Sequence, residues 1–271
     1  MSNFYTGGGS GTSNRLIGVS DFLIEVAKGT VLGHSLEFKF GRNPDIDTGS
    51  TPEDIWTYGG LYTYNDTPSI QYISSDTLTD LGMEITVQGL DADYNLQTLT
   101  VVLNGQNQTQ IGTGETFVRV FRAFNSGAIP FTGNILIYDD TNGGVVGGIP
   151  TDTTSIKAEI KADDQQTYMA IYTIPAGKTG YFLGGAISLI TNASASKSAT
   201  VDLRLRRFGG VFRSSELVDI SSTGTSNFSQ DLHALGPLKI PEKTDVLAQV
   251  RDVGANDTGV AAYFSILLVD N

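Results

Sequence analysis

From Leu16 onward the chain repeats apolar and polar residues with a period of two. Residues 83–88 (Met-Glu-Ile-Thr-Val-Gln) and 97–103 (Gln-Thr-Leu-Thr-Val-Val-Leu) put apolar side chains on one face and polar ones on the other, as half-buried strands do. Residues 117–122 and 135–138 add β-branched and aromatic side chains that suit a pleated surface. Turn sequences separate these runs at residues 89–95, at Asn104-Gly105 and at residues 140–144. A second series covers residues 169–174, 180–190, 199–208, 246–250 and 261–269. The last of these is apolar enough to be central in its sheet, which ties down the C-terminus. The pattern holds no amphipathic helix of ordinary length. Its best helical start is Thr51-Pro52-Glu53-Asp54, a cap-like run reaching Trp56 in little more than one turn.

These elements predict an all-β chain of two antiparallel β-sandwich, jelly-roll-like domains, residues 16–165 and 166–271, divided in the polar stretch near residue 165. Residues 1–15 read as a flexible glycine-rich arm, since GGGSGTSN buries too little apolar surface to offset its ordering entropy. Phe4 and Tyr5 at its tip are candidates for anchoring on a neighbouring subunit.

Composition narrows the function. With 271 residues the chain holds enough core to fold without a metal or disulfide staple. It carries 17 Lys+Arg against 29 Asp+Glu, a net charge of −12, which argues against nucleic acid or an anionic membrane as partner. Charged residues are only 17% and glycines number 32, the make-up of a turn-rich protein with a neutral polar surface. The absence of cysteine excludes thiol catalysis, Cys-based metal sites and disulfides. No apolar run is long enough for a membrane helix, and the N-terminus lacks the basic start and apolar core of a secretory signal. Synthesis in the cytoplasm is expected, as is the absence of a cofactor.

Several motifs invite a chemical reading and fail on context. Pro175-Ala176-Gly177-Lys178-Thr179-Gly180 ends like a phosphate-binding loop, but Tyr172 stands at the first glycine position and a strand-like run follows where a helix is required. Asp47-Thr48-Gly49 and Asp257-Thr258-Gly259 resemble the two halves of an aspartic-protease dyad, yet both lie in polar turns rather than at the ends of apolar strands. Asp91 to Asn95 opens like a calcium loop, with Leu96 in place of the glycine and Val102 in place of the glutamate. A looser cation site at Asp91 and Asp93, or at Asp45 and Asp47, stays open. His34 and His233 are isolated in the sequence, and nothing nearby marks either as catalytic.

Two clusters suit partner binding. Alternation places Arg204 and Arg206 on one strand face, with Arg207 on the other, where they suit solvent or an acidic partner such as carboxylates of a second copy. Trp56, Tyr58, Tyr62 and Tyr64 form an aromatic segment whose tyrosines share parity if it is extended; it suits core packing, a partner protein or a glycan.

The strings PDIDTGSTPEDIWTYGGLYTY, GLDADYNLQTLTVVLNGQ, FVRVFRAFNSG, MAIYTIPAGKTGYF and IPEKTDVLAQV, with the YFSILLVDN end, give the chain a family likeness. Over residues 17–271 it resembles β-rich virion structural proteins of tailed bacteriophages, many of them marine. That resemblance implies a non-enzymatic virion component made in the host cytoplasm. Within it, a capsid decoration (cement) protein is expected first, a trimer bound to the major capsid protein outside the head. The alternatives are a tail, neck or fibre-base component contacting tail or portal proteins, or a receptor- or glycan-binding module. The resemblance carries over no catalytic, cofactor or metal residue.

Overall fold

A computed structural model describes residues 19–139, 143–190, 196–222, 228–232 and 237–271. A nine-residue helix, α1 (Val19–Ala27), precedes β1 (His34–Ile46). Then come β2 (Glu53–Asp54), β3 (Tyr72–Ser75), β4 (Glu84–Leu90), β5 (Leu96–Val102), β6 (Thr109–Gln110) and β7 (Arg119–Asn125). They are followed by β8 (Ile135–Tyr138), β9 (Val145–Val146), β10 (Ile149–Pro150), β11 (Ile156–Ile160) and β12 (Ile171–Thr173). The chain finishes with β13 (Lys178–Ile190), β14 (Lys197–Arg206), β15 (Arg213–Ser222), β16 (Phe228–Leu232), β17 (Leu238–Ile240), β18 (Asp245–Val253) and β19 (Thr258–Asp270).

Nearly all of the regular secondary structure is strand, and the pairings are antiparallel. One sheet has the order β1-β19-β13-β16, with β17 also on β13; a second has β12-β18-β14-β15, with β2 on β18. These two face each other across one core. Phe182, Leu189, Phe264 and Ile266 enter it from the first sheet, and Val201, Leu203, Val246 and Val250 from the second. Residues between β2 and β12 build smaller sheets, β11-β8-β3-β6 and β5-β4-β7, with the ribbon β10-β9. They enclose a second core around Ile73, Ile85, Val87, Phe117, Ile137 and Ile156.

β18 lies between the two cores. Val246 and Ala248 point into the first, whereas Leu247 belongs to the second. Burial on both faces explains why Val246, Leu247 and Ala248 are consecutive apolar residues rather than an alternation.

Two local expectations are corrected. The run at Thr51–Trp56 is not helical: Glu53 and Asp54 pair with Val250 and Gln249 of β18, and Trp56 bridges Met169. Tertiary pairing overrides the local cap signal there. α1 escaped the pattern because nine residues give only two turns of periodicity.

The largest departure concerns β1. The chain returns to the larger pair of sheets at β12, close to residue 165, but β1 already belongs there. It pairs with β19 from His34↔Val269 to Asn43↔Val260. A division into 16–165 and 166–271 therefore separates β1 from its partner, and residues 47–170 form an insertion between two strands of one sandwich. Gly41 marks the crossing: a Cβ there would lie 2.2 Å from the Ala170 nitrogen and 2.3 Å from the Ile55 oxygen. Any side chain would push β1 off the backbone it crosses.

β19 is the central strand expected from its apolar sequence, held between β1 and β13. Deleting residues 264–271 removes Phe264, Ile266 and Leu268 from the core. Each such loss costs about 2–5 kcal/mol, against a total stability of about 5–15 kcal/mol for a typical domain. Differential scanning calorimetry should find no cooperative native transition in the truncated chain; an unchanged melting temperature would refute the central placement of β19.

Candidate functional site

The sandwich and the insertion meet at a polar seam that begins with two buried carboxylates on β2. Glu53 accepts hydrogen bonds from Asn43 Nδ2 (2.7 Å) and the Gly60 N–H (2.9 Å). Gly59 and Gly60 have φ of +80° and +68°, a left-handed turn that glycine adopts without strain. Trp56 Nε1 closes that turn on the Gly60 carbonyl at 3.1 Å. Asp54 accepts from the Tyr62 N–H at 2.8 Å and from Gln249 Nε2 at 2.7 Å. Burial pushes its carboxyl up to about 6, against the lowering effect of those two donors and of Arg204.

The aromatic segment lines the same seam. Trp56 packs on Tyr58 and Tyr62 with ring centroids 5.4 and 5.3 Å apart, Tyr62 on Tyr64 at 4.7 Å, and Tyr64 on Phe212 at 5.4 Å. Trp56 and Tyr62 are buried, while Tyr58 and Tyr64 are half-buried against the second core. The segment is irregular rather than extended, so its rings interlock as core instead of forming an exposed stripe.

The arginines of β14 arrive at the other end of this ring chain. Arg206 lies 4.3 Å from the Tyr64 ring centre and 4.7 Å from that of Phe212; Arg204 lies 5.6 Å from Phe212. Arg204 Nη1 donates to Gln249 Oε1 at 2.8 Å, and Arg206 Nε to Asp245 Oδ2 at 2.8 Å. Both are thus engaged within the chain. Asp245 also receives Arg119 Nε at 2.8 Å, Arg119 Nη2 at 3.2 Å and Thr173 Oγ1 at 2.6 Å. Its carboxylate ties β7 of the insertion to β12, β14 and β18 of the sandwich. Burial works to lower the Arg119 pKa, and the hydrogen bonds and charge of Asp245 outweigh it and raise it. A second tether is Lys39 on β1, whose buried ammonium donates to the Phe121 carbonyl at 2.5 Å; burial lowers it to about 8, partly opposed by Glu37.

Above Asp245 opens a cleft of about 250 Å³, lined by Asn65, Asp66, Tyr94 and Arg119 from the insertion and by Arg206 to Gly210, Lys243 and Asp245 from the sandwich. The sequence reading singled out Arg206 and Tyr64 separately; the fold brings them together. It missed Asp245, whose one signal is an acidic residue directly before the apolar run Val246–Ala248.

The remaining candidates sit elsewhere. Asp45, Asp47 and Asp257 gather where β1 ends and β19 begins, all three exposed to solvent, with ligand oxygens within 4.8 Å of one another; the Asp257 N–H donates to Asp47 Oδ1 at 3.1 Å. Asp91 organises its own turn, accepting from the Asp93 and Asn95 N–H groups at 2.9 and 2.8 Å. Gly177 lies in the turn joining β12 to β13, and Lys178 opens β13. His34 contacts the Leu32 carbonyl at 2.9 Å and stacks edge-on against Phe22. Phe4, Tyr5 and His233 lie outside the described residues. Among those residues, no helix is long and apolar enough to cross a membrane.

No protein-family model and no curated protein matches the chain. Among solved structures it is similar to virus particle proteins. The infectious bursal disease virus Gt strain structure shares 14% identity over 88% of this chain and 73% of that one, with a TM-score of 0.22. T=1 particles derived from the same virus give 14% identity, coverage of 92% and 75%, and a TM-score of 0.24. A Bacillus thuringiensis Cry1Da tryptic core variant follows at 9% identity and a TM-score of 0.17, covering 84% and 53%.

Two stability measurements probe the seam. Asp245→Asn leaves two guanidinium groups facing a neutral amide in the interior, and should lower the unfolding free energy by about 3–5 kcal/mol in urea titrations; a loss below 1 kcal/mol would contradict a structural role. Asp54 binds its proton more tightly folded than unfolded, with a folded value of about 6 against an ordinary 3.8. Its contribution is therefore full below pH 3.8 and lost as pH rises through 6. Relative to Asp54→Asn, the wild type should lose about 3 kcal/mol between pH 3.5 and 7.5. A pH-independent difference would show that Asp54 is not held in this way.

Proposed function

We propose that the chain is a non-enzymatic structural subunit of a virus particle, built on a jelly roll, that decorates the head of a tailed bacteriophage. The observation that carries this reading is strand order. Numbering the sandwich strands β1, β12, β13, β14, β15, β16, β18 and β19 from one to eight, the sheets read 1-8-3-6 and 2-7-4-5. Every connection but the fourth-to-fifth hairpin passes from one sheet to the other. That interleaving supports this reading: it matches the double Greek key of a jelly roll, an architecture used by capsid proteins, lectins and cupins. Fold alone does not select among those functions. The resemblance of the IWTYGGLYTY and PAGKTGYF strings to tailed-phage virion proteins supports the virion reading among them.

The same strings have structural work within the fold. EDIWTYGG makes the buried-carboxylate turn where the chain leaves the sandwich, and PAGKTGYF makes the β12–β13 turn and opens β13. A rigid, cysteine-free body with both ends of its insertion pinned suits a lattice part that must hold shape without a redox staple. In this reading the sandwich grips the shell as a trimer and contacts the major capsid protein.

Locating the chain in a cryo-electron microscopy map of the intact particle tests the proposal. Many copies on the head lattice, together with a higher DNA-release temperature when the protein is added to bare heads, is the expected result. A few copies at the portal, tail or fibre base would overturn the decoration role, and absence from the particle would overturn the virion role.

A further inference from the structure

We propose that the cleft between the sandwich and the insertion binds an anionic saccharide, with Lys243 and Arg207 receiving a carboxylate or sulfate and Phe208 supporting the sugar ring. The inference is independent of where in a particle the chain sits.

The electrostatics of the cleft run against those of the molecule. The chain carries a net charge of −12. The cleft nevertheless gathers Arg119, Arg206, Arg207 and Lys243 against only two carboxylates, Asp66 and Asp245. Asp245 is saturated by Arg119 and Arg206 from below. Among the described residues, Arg207 and Lys243 make no salt bridge, so the floor of the site is neutralised while its rim is not. In a partly enclosed cleft such charges act more strongly than on open surface.

Lys243 is also held in place. Its ammonium lies 5.4 Å from the Tyr94 ring centre and 5.7 Å from that of Phe208, and the two rings meet edge to face at 5.7 Å. Its backbone has φ of +57°, the left-handed region, where a non-glycine residue is uncommon and often belongs to a functional site. A cation positioned by two rings and with no salt-bridge partner among the described residues is pre-organised for an anion.

The aromatic part selects the rest of the ligand. Phe208 is 67% exposed, and Gly209 and Gly210 behind it keep the rim free of side chains. A volume of about 250 Å³ admits a single pyranose ring but is not a groove for an extended chain. The cleft lies at a junction between two cores, where ligand sites concentrate. A fixed cation beside an exposed ring face matches a sugar whose apolar face lies on Phe208 while its acidic group reaches Lys243 and Arg207.

Isothermal titration of the full chain with glucuronate, N-acetylglucosamine 6-sulfate, neutral N-acetylglucosamine, inorganic sulfate and a blocked acidic tripeptide tests this. The acidic sugars should bind at least about tenfold more tightly than the neutral one. K243Q and R207Q should each weaken them about tenfold, the loss of one charge-assisted contact. F208A should weaken the acidic sugars and leave sulfate binding unchanged. Circular dichroism melts identify any variant that fails to fold, and the wild-type ligand panel stands without the variants. No binding of either acidic sugar, or equal binding of the neutral one, would overturn the proposal. So would an acidic peptide that binds more tightly than the sugars and is indifferent to F208A, which would assign the cleft to a protein partner.

Discussion

The architecture depends on one long-range pairing, that of the first strand with the last. β1 and β19 run antiparallel in register over most of their length, and β19 in turn pairs with β13 from Lys178↔Asp270 onward. Bringing residues 34 and 269 together closes a loop of almost the whole chain, at an entropic cost that rises only slowly with length. The return is a buried central strand whose alternate residues fill the core. Once β1 is fixed there, residues 47–170 leave after Ile46 and re-enter at Ile171, where Ala170 and Ile55 lie against Gly41 of β1.

Buried charge rather than apolar contact defines the seam that follows. Glu53 and Asp54 accept donors from the sandwich and from the turn at residues 59–62, and Asp245 accepts Arg119 of the insertion together with Thr173 and Arg206 of its own sandwich. Such pairs contribute little net stability, because desolvation offsets most of the attraction, yet a wrong arrangement leaves an uncompensated charge in the interior. The seam therefore fixes how the insertion meets the sandwich. The same arrangement leaves Arg207 exposed and Lys243 half-buried above a neutralised floor, so the cationic cleft follows from how the two units are joined.

What the sequence made legible follows the range of each interaction. The all-β class was readable from alternation in runs such as 83–88 and 97–103, since a strand's two faces are a local property. The central position of the last strand was readable from its apolar density. The membership of β1 was not, because nothing in HSLEFKFGRNPDI names a partner more than two hundred residues away. Glu53 and Asp54 read as a helix cap because their burial is decided by β18. The parity of Tyr58, Tyr62 and Tyr64 presumed an extended backbone, and the Gly59-Gly60 turn breaks it. Arg206 was visible as a charge on a strand, but its counter-ion, Asp245, is set by the pairing of β18 with β14.

Native-state hydrogen exchange would test the central pairing most directly. If β1 closes the sandwich, the amides of β1 and β19 that bond to each other share one opening free energy, equal to that of β13 and distinct from the loops of the insertion. Exchange of β1 at a lower free energy, together with β3 to β11, would contradict the account by showing that the first strand opens with the insertion rather than with the last strand.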